Sequence, residues 1–189
     1  LYEAEEYPVI QELDNGKEFY IDKEKFQACL ENTMVAAAES TENLAVNCVR
    51  LEINNDKIKM ISSDSFRMAY NELEIEKEEN RGKNLKISIP LKTVDSFLKV
   101  IKLDESKSVN IRYEGSQVFF RIGNISILSR TIDLSFPDYE NILESAVYDK
   151  KVLSNKKELK SVLRRVLIFV RNNAETKNSG IFNFVGNEL

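Results

Sequence analysis

The sequence predicts an α+β fold built from a duplicated strand-helix-strand-strand-strand unit. Three observations predict it. Short segments of alternating apolar and polar residues come in runs of three, each of strand length. Two longer stretches space their apolar residues at the 3.6 period of a helix, and each follows one short strand. The whole order then occurs twice between residues 18 and 131. At 189 residues and 42% hydrophobic, the chain has enough apolar surface for a core.

Taken in order, Glu18-Phe19-Tyr20-Ile21-Asp22 alternates and then meets an apolar stripe of Phe26, Leu30, Met34 and Ala37, a helix over 23–38. Asp22 is its N-cap, with Lys25 where a capping box would want Glu. Val49, Leu51 and Ile53 alternate with Arg50 and Glu52. Asn54-Asn55-Asp56 supplies turn chemistry, and Ile58, Met60 and Ser62 return. Arg67 to Ile75 is the third strand. The charged stretch 76–84, with Arg81-Gly82, connects the halves.

The pattern restarts at Lys86-Ile87-Ser88-Ile89. Pro90 opens a helix over 90–102, where its missing N–H costs nothing, and Val94, Phe97, Leu98 and Ile101 form the stripe. Strands at 109–113, 118–122 and 125–131 follow, with turns at Glu114-Gly115-Ser116 and Gly123-Asn124.

A longer repeat lies above this one, with echoes about 130 residues apart. Tyr7-Pro8-Val9-Ile10 is echoed by Phe136-Pro137-Asp138-Tyr139. The stripe Phe26, Leu30, Met34 is echoed by Leu159, Leu163, Leu167, and Leu51, Ile53, Ile58 by Phe182, Phe184, Leu189. That predicts a tandem array: the end of one domain at 1–16, a complete domain at 17–135, a link at 136–148 and the opening of another domain at 149–189. The chain lacks an initiator Met and ends on what reads as a strand entering a turn, so a fragment is expected.

Composition excludes several chemistries. With no His, the chain offers no Ser-His-Asp triad, Cys-His pair or His-ligated zinc site. Cys29 and Cys48 form no CxxC motif and read as two buried thiols. No apolar run approaches the ~20 residues of a membrane span, and no signal peptide opens the chain. Asp133 and Asp138 flank a Phe-Pro link and could imitate an acid-base pair, as could Asp64 beside Arg67. Acidic residues in turns more often cap or pair. Neither a Gly-rich phosphate loop nor a GxSxG elbow is present. No catalytic residue, metal or cofactor is expected.

Four segments carry a family resemblance: Ala4-Glu5-Glu6-Tyr7-Pro8, Ser62-Ser63-Asp64-Ser65-Phe66-Arg67-Met68-Ala69, Ile89-Pro90-Leu91-Lys92, and Ser129-Arg130-Thr131-Ile132-Asp133-Leu134-Ser135-Phe136-Pro137-Asp138-Tyr139. Together they resemble the bacterial DNA polymerase III beta subunit, the sliding clamps. The resemblance implies the DNA-clamp fold, with helices on one face of antiparallel sheets. It further implies three domains per protomer, a head-to-tail homodimeric ring around duplex DNA, and a non-catalytic role in the cytoplasm at replication forks. The clamp would tether the polymerase catalytic subunit, and the clamp loader and other proteins would dock through short linear peptides. A chain of this extent should not close a ring by itself.

The resemblance also implies a peptide pocket. It maps onto Val46, Ser63, Ser65, Phe66, Arg67 and Met68, with Pro137, Asn141 and Ile142 from the link. An apolar floor would take Leu and Phe anchors, and Met68 would form an adaptable wall. The family's completing C-terminal strands are absent, so the pocket would be half built. Ser65 and Phe66 replace the family's Gly-His, which predicts a narrower pocket that is less sensitive to pH.

The net charge of -4, from 27 basic and 31 acidic residues, first argues against a nucleic-acid partner. The charge is uneven, however. Helix 23–38 is balanced, with Lys23 and Lys25 against Glu24 and Glu31. Helix 90–102 carries Lys92, Lys99 and Lys102 against Asp95. A helix over 156–171 carries Lys156, Lys157, Lys160, Arg164, Arg165 and Arg171 against Glu158. Lys92, Lys99, Lys102, Lys156, Lys157, Lys160 and Arg164 are the candidates to face DNA. A sliding protein needs phosphate attraction that ignores sequence.

Overall fold

The computed structural model describes residues 16–54, 57–75, 83–148, 151–170 and 180–183. The Tyr7-Pro8 motif, Asn55-Asp56, most of the 76–84 connector, Arg171, Phe184 and Leu189 lie outside them. The chain divides into two compact units, Leu1–Tyr139 and Glu140–Leu189.

In the first unit, β1 (Lys17–Asp22) leads into α1 (Lys23–Met34), followed by β2 (Cys48–Asn54), β3 (Lys57–Ser63) and β4 (Met68–Glu74). The second pass runs β5 (Leu85–Pro90), α2 (Leu91–Val100) with a 3-10 turn at Ile101–Leu103, then β6 (Ser108–Glu114), β7 (Gln117–Ile122) and β8 (Ile125–Arg130). The duplicated order read from the sequence is therefore present. Asp22 caps α1, its carboxylate accepting the Lys25 N–H at 2.9 Å. Pro90 stands just before α2 as the last residue of β5, one position earlier than expected.

Helix α1 stops at Met34, short of the expected Ala38. The N–H groups of Ala36 and Ala37 reach back only three residues, to the carbonyls of Thr33 and Met34 (3.3 and 3.1 Å). Ala38 N–H turns to Val46 O at 3.1 Å. The apolar stripe persists through buried Ala37 although the helix does not, so periodicity alone overshoots the end. The last turn is tied to β3, where the Ser62 hydroxyl donates to Thr33 O.

The two antiparallel sheets run β1-β6-β7-β8 and β4-β3-β2-β5. The first strand of each repeat is thus exchanged: β1 pairs with β6 of the second repeat, and β5 with β2 of the first. One core fills the space between the sheets' inner faces and both helices. Phe19, Leu51, Met60, Ile111 and Phe120 from the strands meet Phe26, Leu30, Val94 and Phe97. Phe97 lies at the junction, edge-on to Phe26 at 5.7 Å and 5.0 Å from Phe120. Cys29 and Cys48 are buried free thiols, as expected. Gly115 and Gly123 adopt the positive φ (60° and 53°) that their predicted hairpin turns require.

Across the unit boundary, α3 (Tyr139–Ser145) occupies part of the stretch expected as a plain link. In the second unit, α4 (Lys156–Val170) is capped by Asn155, whose Oδ1 accepts from Lys157 N (2.9 Å) and Glu158 N (3.4 Å). None of its residues is buried. Residues 180–183, including Phe182 of the expected echo strand, have no regular structure.

Candidate functional site

The β3–β4 turn is built by its own short side chains. Ser63 Oγ donates to Arg67 O (2.9 Å) and accepts from Ser65 N (3.1 Å). Asp64 Oδ1 accepts from the backbone N–H of both Phe66 and Arg67 (3.0 Å each), and its Oδ2 accepts from Arg67 Nε at 2.9 Å. Partial burial acts to raise the Asp64 carboxyl, but bonds from the Arg67 side chain and from the Arg67 and Phe66 amides outweigh it. Its pKa lies below the usual aspartate value.

These bonds hold Ser65 at φ 76°, the one non-glycine residue at positive φ among those described. That is the position where the resemblance places Gly. Phe66, the next residue, is 99% exposed. A fully solvated phenyl ring on a hydrogen-bonded turn is displayed with little backbone freedom.

Among the other pocket candidates, Met68 opens β4 opposite Ser63 and is half-buried. Val46 is buried at 3% exposure in the loop before β2, so it can serve only as floor. Pro137 is half-buried in the first unit. Asn141 and Ile142 lie on α3 in the second unit, with Ile142 exposed.

After β8 the chain is pinned to the first unit. Thr131 N donates to Ser116 O and Ile132 N to Ser88 O, both at 2.9 Å. Tyr139, which the sequence did not single out as a site residue, is 4% exposed. Its hydroxyl donates to Glu52 Oε2 at 2.9 Å, and its ring lies 6.1 Å from Tyr70. The other Glu52 oxygen faces Arg50 Nε at 3.2 Å and Lys86 Nζ at 3.1 Å.

The cationic candidates divide in two. Lys99 is paired with Asp95 at 2.6 Å, and Lys102 with Glu31 of α1 at 3.0 Å. Lys92 is exposed on the first turn of α2. On α4, Lys156, Lys157, Lys160 and Arg164 are all exposed. Lys157, Lys160 and Arg164 share an open groove of about 430 Å³ with Ser161, Arg165 and Ile168. Asp133 and Asp138 are exposed, and Asp64 is engaged in its turn. Among the described residues no three carboxylates or thiols gather as a metal site would need, and no helix is long and apolar enough to cross a membrane.

The model of the family described as "DNA polymerase III beta subunit, central domain" matches residues 20–138, the span from β1 through the Phe136-Pro137 link. The chain belongs to the DNA polymerase III beta subunit family. Curated relatives of this beta subunit domain include the Beta sliding clamp of Mycoplasma capricolum, 26% identical over 162 residues, covering 86% of this chain and 42% of that protein. The Beta sliding clamp of Staphylococcus epidermidis is 25% identical over 187 residues, covering 99% and 48%. The chain spans about half the length of the curated relatives it matches.

Solved beta subunits share the fold. That of Thermotoga maritima aligns at a TM-score of 0.77 with 24% identity, covering 92% of this chain and 46% of that one. That of Streptococcus pyogenes aligns at 0.81 with 19% identity, covering 91% and 45%. The α+β fold expected from the duplicated pattern is present here, and it is the fold of these beta subunits.

Proposed function

We propose that this chain works as part of a sliding clamp: a ring around duplex DNA that tethers the replicative polymerase and makes or breaks no bond itself. The observation that carries this is the beta subunit central domain over residues 20–138, with its two helices laid across the inner faces of the sheets. Charge supports it. Exposed cations stand on α2 and α4 while the chain as a whole is at -4. An open groove with four cationic side chains suits phosphates without reading bases. The turn that displays Phe66 and leads into Met68, together with Pro137 of the same unit, is proposed to receive short partner peptides with Leu and Phe anchors.

The test is topological. Protein of the relatives' full length carrying this sequence, once loaded on a circular plasmid, is expected to stay through gel filtration and to be lost when the plasmid is linearised. Equal loss from circular and linear DNA would replace the ring with a peptide-binding adaptor that does not encircle DNA.

A further inference from the structure

A tyrosine buried on the far side of a sheet from the core calls for an explanation. Arg50, Glu52, Tyr70, Lys86 and Ile61 alternate with core-facing Leu51, Ile53, Met60, Leu73 and Ile87, so they lie on the face that helices α1 and α2 do not cover. Ile61 is nonetheless fully buried there. Tyr139 reaches from Tyr70 on β4 to Glu52 on β2, across β3, which carries Ile61 between them.

We propose that Tyr139 is a positioning residue for peptide docking, its hydroxyl on Glu52 and its ring against Tyr70 fixing the place of Pro137, two residues before it. This rests on the docking reading above. Tyr70 follows Met68 by two residues on the same face of β4, a separation of about 7 Å. A ring fixed on Tyr70 is therefore fixed one strand repeat from the pocket wall. Tyr139 N–H donates to Pro137 O at 2.8 Å, so the turn holding the proline closes on the anchored residue. Glu52 is a firm anchor because Arg50 and Lys86 hold its other oxygen, and Arg50 Nη1 also donates to Ser88 Oγ at 3.1 Å. Ser88 in turn holds Ile132 N–H through its carbonyl. One network thus holds the chain after β8 at two points, Ile132 and Tyr139.

Tyr139→Phe keeps the ring and removes one donor to a carboxylate, leaving Glu52 its two cations, so the fold should survive. The experiment measures fluorescence polarisation of a labelled synthetic peptide with Leu and Phe anchors on the full-length protein. Tyr139→Phe is expected to weaken binding about fivefold to tenfold. Ile53→Val, a core change of comparable effect on the melting temperature, is expected to leave binding unchanged. In a Met68→Ala background the Tyr139→Phe effect should shrink, because both act on one wall. Peptide bound by the parent and equally well by Tyr139→Phe would overturn the positioning role alone, as would matching losses in Tyr139→Phe and Ile53→Val. A parent that binds no peptide would overturn the docking reading and this inference with it.

Discussion

Ser65 holds a backbone conformation that costs a residue with a Cβ about 1 kcal/mol, and three neighbouring side chains are arranged to keep it there. Ser65→Gly is expected to raise stability by about 0.5–1 kcal/mol, read from thermal unfolding. A drop would mean that the serine side chain contributes more than its φ costs. Asp64 is the turn's pH-dependent member. Its folded pKa is lowered, so its contribution is complete above the ordinary aspartate value of 3.8 and is lost as pH falls through the lower folded value. The protection factors of the Phe66 and Arg67 amides, taken against the intrinsic exchange rate at each pH, should therefore hold at neutral pH and fall only in acid, while Asp64→Asn should lower them at neutral pH. With Phe66 where the family pattern has His, and no His anywhere, peptide affinity is expected to be flat between about pH 6 and 8. The thiols do not intervene, since burial pushes Cys29 up to about 12 and Cys48 to about 11.

Among the elements, those governed by local pattern were legible in the sequence. Val94, Phe97, Leu98 and Ile101 fall at the spacing of one helical face, and all four are buried. The Gly123-Asn124 turn is another. Its φ of 53°, with the Asp104 carboxylate against the place a Cβ would take, makes Gly123→Ala destabilising by about 1–2 kcal/mol, measurable by urea unfolding. What depended on distant partners was not legible. Nothing local tells β1 to leave its own repeat, because its alternation fits either sheet. The sequence also could not reveal that Glu52, an ordinary outward residue of an alternating strand, is paired with Tyr139 across 87 positions. Helix α3 is hidden because Phe-Pro-Asp-Tyr reads as a link, and the end of α1 because Ala37 continues the apolar stripe. The candidate pocket was legible only through resemblance. Its residues come from one turn, one buried residue of the loop before β2 and the link, and no spacing rule joins them.

For the whole molecule, the charge of -4 is a poor guide to its partners, because the cations are unevenly placed. Lys99 of α2 and Lys102 of the 3-10 turn after it are locally compensated by Asp95 and Glu31, whereas the α4 groove gathers Lys157, Lys160, Arg164 and Arg165. If that groove meets phosphates, Lys157→Glu with Arg164→Glu should weaken DNA association and flatten its salt dependence. The slope should fall by about one for each phosphate no longer neutralised. The corresponding reversal at Lys99, already paired with Asp95, should have the smaller effect. Filter binding across a salt series separates the two, and equal effects would remove the distinction between the helices.

The strand exchange between the repeats bears on how this unit can be divided. A cut in the connector between β4 and β5 would leave one piece holding β1 without its sheet and the other holding β5 without its own. Neither piece could satisfy its strand edges or cover its helix alone, yet each carries the strand the other lacks. The halves are interlocked like clasped hands, and nicked protein should stay associated until it is denatured. Because β1 must find β6 some ninety residues away, the two repeats are committed to fold together or not at all.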